Sequence, residues 1–180
     1  MKTKTKQILA VLKVVSWIIF FGLCIQTGAL IYTFIYSFFN PVVAQNLYMG
    51  LDLSHLYDLD MGNYAFIVAS LIILSGLKAF IFYLVVKIFL TINFQNPFNI
   101  KVASLLARIS YIAFAVWILI FVNNMCIDSL IADGAEISQL NLQPYLGGGS
   151  EFFFLGMIVF IISQVFKRGI ELQSENELTI

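Results

Sequence analysis

Apolar residues run through the chain in four long blocks, with polar residues gathered between them. A helix rising about 1.5 Å per residue needs about 20 mostly apolar residues to cross about 30 Å of hydrocarbon. Three blocks meet that length outright: about Val14 to Phe39, Ala65 to Leu90, and Val102 to Val122. The fourth has a shorter core, Phe152 to Phe166, and reaches spanning length by taking in its flanks, over about Gly147 to Arg168. Pro41, Pro97 and Pro144 fall outside these spans, so none needs a break in its backbone hydrogen bonds. The pattern predicts an all-α fold, a four-helix transmembrane bundle. It forms one integral membrane domain over residues 1–180, of which residues 169–180 are a short cytoplasmic tail.

The polar segments differ in sign. Lys2, Lys4, Lys6 and Lys13 precede the first span, Lys87, Lys101 and Arg108 flank the turn between the second and third, and Lys167 and Arg168 follow the fourth. The segment Asn40 to Tyr64 carries Asp52, Asp58 and Asp60, and the segment Asn123 to Glu151 carries Asp128, Asp133, Glu136 and Glu151; neither has a Lys or Arg. Cationic loops stay in the cytoplasm, so both termini are expected there, with the two acidic loops outside. The first span exceeds the roughly 7 to 15 apolar residues of a secretory signal, so it is read as a retained anchor despite the small residues Val42, Val43 and Ala44 after it.

Composition agrees with this reading. With 61% hydrophobic and 11% charged residues, the chain has too little polar surface to cover a water-soluble core. Ten Lys plus Arg balance ten Asp plus Glu, which leaves no basic stripe for direct nucleic-acid binding.

Inside the spans the chemistry is sparse. Lys78 lies near the middle of the second span, where a cation costs roughly 2.5–3.5 kcal/mol on insertion scales. Gln26 of the first span lies at a similar depth, as do Thr27 and Tyr111, so Lys78 and Gln26 form a candidate intramembrane polar site. The alternative is a lysine that snorkels or bonds to Gln26, Ser75 or backbone carbonyls. No carboxylate shares this depth, so an acid–base proton relay is missing its acid. Lys87 and Arg108 are close enough to the span ends to snorkel.

Between the spans, His55 sits among Asp52, Asp58 and Asp60, but one histidine is too few for a catalytic zinc site. The leucines interleaved with these acids suggest a segment lying on the outer membrane surface. Cys24 and Cys126 are expected at depths too different for a disulfide, and no cysteine pair suits thiol exchange. Phosphate loops, zinc-protease helices and nucleophile elbows are absent from the sequence, so neither enzyme activity, metal nor cofactor is expected. Gly147, Gly148 and Gly149 make a flexible entry to the fourth span, where Ser150 suits a helix cap and Glu151 the positive helix end. Asn96, Pro97 and Phe98 read as cap, first helical residue and interfacial anchor of the third span. Small pairs at four-residue spacing, Ala65 with Ala69, Ser75 with Ala79 and Ala103 with Ala107, hint at packing seams.

The tail begins with Lys167 and Arg168 and ends in Glu175-Asn176-Glu177-Leu178-Thr179-Ile180. It reads either as a frayed end or as a docking segment for a cytoplasmic partner. Together with Asn96-Pro97-Phe98 and the Gly169-x-x-Leu172 spacing, this ending resembles the bacterial family known as domain of unknown function 2975. Its members commonly carry Asp where this chain has Glu177. The resemblance implies a multi-pass protein of the bacterial cytoplasmic (inner) membrane. Members are often encoded beside a small helix-turn-helix regulator, so the resemblance also implies a regulator partner. Glu175, Asn176, Glu177, Leu178, Thr179 and Ile180 are then the candidate partner-binding residues, with Asn96, Pro97 and Phe98 shaping the surface beside them.

Overall fold

The structure is a computed structural model and describes residues 2–92, 98–135, 137 and 139–177. These residues are helical throughout their regular structure, with no strand among them, and the fold is an all-α bundle. The helices are α1 (Lys2–Ser37), α2 (Ser54–Leu59), α3 (Met61–Thr91), α4 (Ile100–Ala132), α5 (Gln139–Leu146) and α6 (Gly149–Glu177). Four stretches are long and apolar enough to cross a membrane: Gln7–Ser37, Met61–Thr91, Ile100–Ala132 and Leu142–Glu175. At about 1.5 Å per residue α1, α3, α4 and α6 each exceed the roughly 30 Å hydrocarbon layer, so the helices outrun the apolar runs that define them.

Burial separates these helices. In the most apolar window of α3, 44% of residues are buried, and in that of α4 33%, against 6% for α1 and 11% for the fourth stretch. α3 and α4 therefore supply most of the helical core, while α1 and α6 present large apolar side chains outward, as Ile18, Ile25, Phe154 and Ile161 do. Such a surface belongs in lipid. The protein is a multi-pass membrane protein.

Two compact units divide the chain. The first comprises Met1–Phe20, Phe80–Ala115 and Ser150–Ile180. Within it Phe20 meets Tyr83 at 5.9 Å between ring centroids, Phe114 meets Phe153 at 5.9 Å, and Phe98 meets Phe166 at 5.5 Å. The second comprises Phe21–Ala79 and Val116–Gly149. Its interior is tied by side-chain hydrogen bonds. The Tyr64 hydroxyl donates to Ser37 Oγ at 2.8 Å, Thr27 and Ser75 join α1 to α3 at 2.8 Å, and Ser70 of α3 bonds the Asn123 side chain of α4. Asn123 passes the chain on by donating to the Leu119 carbonyl at 2.8 Å. Where the surroundings are apolar, interhelical bonds of this kind replace a hydrophobic driving force and contribute about 0.6 kcal/mol each on average.

The segment after α1 is folded rather than spread along a surface. Asn40 caps a short 3-10 helix, Pro41–Gln45, by accepting the Val42 N–H at 3.3 Å. The Leu53 N–H donates to the Ala44 carbonyl at 2.9 Å. Ala44, Leu47, Leu51, Leu53 and Leu56 are all buried, so these leucines belong to the protein interior, whereas Leu59 stays exposed. Two of the acids tie down turns: Asp52 accepts the Ser54 N–H and hydroxyl, and Asp60 accepts the N–H groups of Gly62 and Asn63 at the start of α3.

Candidate functional site

Lys78 is half-buried near the middle of α3, and its ammonium donates to the main-chain oxygen of Tyr145 at 2.8 Å. Tyr145 is the penultimate residue of α5, where carbonyls have no later helical N–H to receive. The lysine thus meets a helix C-terminus, the negative end of the helix dipole, with the donor such an end lacks. α5 stops here for local reasons. The Gly147 N–H donates to the Gln143 carbonyl at 2.8 Å, and a Cβ at Gly147 would lie 2.7 Å from that oxygen. Gly148 then turns the chain with φ +82°. At the other edge the Tyr145 hydroxyl donates to the Tyr48 carbonyl at 2.9 Å. α5 is thereby held by Lys78 on its main chain and by Tyr48 on a side chain. Gln26 is half-buried on α1, next to Thr27, whose hydroxyl oxygen lies 2.8 Å from both the Leu23 carbonyl and Ser75 Oγ.

Beside α5 lies a cavity of about 410 Å³. Asn124 and Asp128 of α4 and Gln143 of α5 supply its polar wall, and Ile127, Leu142 and Leu146 its apolar wall. Among the described residues no three of His, Cys, Asp and Glu gather where they would hold a metal ion. Cys24 and Cys126 are free thiols.

The second candidate region lies in the other unit, where α4 begins and α6 continues past its apolar run. α4 starts at Ile100 and is capped by Asn99, which accepts the Lys101 N–H at 2.8 Å. The first buried positions of the helix, Val102 and Ala103, come one turn after Asn99. Asn96 and Pro97 lie outside the described residues. Phe98 packs edge-on against Phe166 and lies across Gly169, where a Cβ would stand 2.5 Å from its ring. Phe98, from one sequence motif, thus meets Gly169, which opens another, Gly169-x-x-Leu172.

Beyond it α6 remains helical to Glu177. Arg168 and Glu171 pair across one turn at 2.8 Å, both well exposed, and Glu175 is exposed one turn further on. Asn176 and Glu177 are described in their helical backbone, while Leu178, Thr179 and Ile180 lie outside the described residues. Ser150, expected to cap α6, falls inside its first turn and donates to Glu151 at 3.1 Å. The helix already starts at Gly149, which places Glu151 at the positive end of the dipole.

A family model described as "Protein of unknown function (DUF2975)" matches residues 52–180, from α2's approach to the tail. The chain belongs to this family. The match takes in every residue named at both regions except those of α1 and the Tyr48 turn. No curated protein and no solved structure matches the chain. Membership of DUF2975 carries no assigned activity, so chemistry has to be argued from the geometry.

Sequence reasoning missed Tyr145, Tyr48 and Asn123. Tyr145 acts through a carbonyl, which every residue type possesses. Asn123 carried the only available signal, a carboxamide at the edge of an apolar run, where it must find a partner.

Proposed function

We propose that this DUF2975 protein is a non-enzymatic anchor in the bacterial cytoplasmic membrane that recruits a small helix-turn-helix transcription regulator through its C-terminal helix. The observation that carries the reading is the continuation of α6 beyond its apolar run as a helix to Glu177, with Arg168, Glu171, Ser174 and Glu175 exposed along it. At about 1.5 Å per residue this extension adds about 15 Å of regular surface. A preformed helix presents side chains in fixed register and loses less entropy on docking than a disordered tail. Both termini face the cytoplasm on the positive-inside rule, which puts this extension where a regulator is found. The phenylalanine lying on Gly169 supports the root of the extension against the start of α4. Glu175, Asn176, Glu177, Leu178, Thr179 and Ile180 form the recognition end.

The test is affinity purification from crosslinked native membranes, comparing the full chain with a truncation after Gly169. Recovery of a DNA-binding protein with the full chain alone is the expected result. Equal recovery with both chains overturns the tail assignment.

A second reading, a small transporter, channel subunit or ligand-pocket protein using Lys78 and Gln26, draws on the cavity beside α5. It requires Lys78→Met to change flux or ligand retention in reconstituted vesicles, and unchanged behaviour removes it.

A further inference from the structure

Lys101, Ser104, Leu105 and Arg108 follow one another on α4 at the spacing of a single helix face. Lys87 and Thr91 stand four residues apart on α3. The six line one groove of about 380 Å³, with Ile100 at its edge. Three cationic residues therefore line one groove whose lining, among the described residues, includes no carboxylate. Lys87 is steadied over the Tyr83 ring, 5.1 Å from its centroid. Ile100 is 62% exposed and supplies an apolar rim beside the charges. Snorkelling accounts for each cation singly. It gives no reason for three cationic residues to line one groove, where like charges repel one another unless an anion joins them.

We propose that this groove binds the phosphate headgroup of an anionic membrane lipid. The guanidinium of Arg108 matches two phosphate oxygens at once, the two ammonium groups supply point charges around them, and Ser104 offers a hydroxyl donor. The Thr91 hydroxyl bonds back to the Lys87 carbonyl at 2.8 Å, which fixes the helix turn from which Lys87 reaches out. A lipid fits better than a free anion because the groove pairs its charges with Leu105 and exposed Ile100, surfaces suited to glycerol and the first methylenes of an acyl chain. Basic pockets between membrane helices bind lipid headgroups in this manner.

The experiment reconstitutes the full chain in phosphatidylcholine nanodiscs with trace spin-labelled phosphatidylglycerol or spin-labelled phosphatidylcholine, and reads the motionally restricted fraction of each. The wild-type protein is expected to restrict phosphatidylglycerol selectively. A single cation near an anionic surface is worth about a fivefold factor, so Lys101→Gln and Arg108→Gln should each lower the selectivity about fivefold. The triple variant with Lys87→Gln should abolish it. Both single changes are at exposed side chains and leave the helix core intact. No loss in either single variant overturns the proposal, and so does an equal loss with Lys167→Gln, a cation outside the groove. Displacement of the labelled lipid by millimolar inorganic phosphate also overturns it, by assigning the groove to a soluble anion.

Discussion

Phe98 and Gly169 show how one side chain decides what another position tolerates. A methyl group at Gly169 would have to push the Phe98 ring aside, since the two would stand 2.5 Å apart. Overpacking of this kind costs about 1–3 kcal/mol, whereas replacing a helical glycine by alanine gains about 1 kcal/mol. Gly169→Ala is therefore expected to destabilise the wild-type protein in detergent and to stabilise it by about 1 kcal/mol in a Phe98→Ala background. Thermal melts of the four proteins check this reversal, and additive effects would show that the ring yields freely. Both residues were conspicuous in the sequence, one beside a proline and one after the last apolar run. Their contact was not, because periodicity reports which face of its own helix a residue occupies and is silent on partners about 70 positions away. Lys78 was legible for the same kind of reason, as a cation where apolar residues are the rule, and its carbonyl partner was not.

α5 is the element that sequence patterning could least foresee. It has eight residues, contains Pro144 and follows a polar stretch, so no periodicity announces it. The four long helices, by contrast, were plain from hydropathy because crossing a membrane demands length as well as apolarity. Two hydrogen bonds at one residue, through the carbonyl and the hydroxyl of Tyr145, tie α5 to its neighbours beside the burial of Leu142 and Leu146. Tyr145→Phe removes the bond to Tyr48 and is expected to loosen the element by about 0.5–1.5 kcal/mol. Lys78→Met strands the carbonyl and should loosen it by about 1–3 kcal/mol. Hydrogen exchange over residues 139–146 checks both, with faster exchange there while the middle of α3 stays protected. Exchange unchanged in both variants would mean that apolar burial of Leu142 and Leu146 alone holds the helix.

For the whole molecule, the uneven burial of the four long helices and the sorting of charge bear on insertion. The positive-inside reading expects a reporter enzyme that works only outside the cytoplasm to be inactive when fused after Ile180 and active when fused within the Asn40–Tyr64 segment. The opposite pattern would invert the topology and place the α6 extension away from any cytoplasmic partner. Composition made membrane residence legible, whereas the folded segment between α1 and α3 was hidden because its leucines resemble those of an interfacial segment. The bond between Lys78 and Tyr145 spans 67 residues, which gives it a place in time as well as in space. A ribosome adding about 5–20 residues per second exposes the cation several seconds before its acceptor has been made. During that interval α3 has to wait for its partner with water or lipid headgroups around the ammonium, so a nascent chain halted before α5 should slip out of the bilayer more readily than one that has been completed.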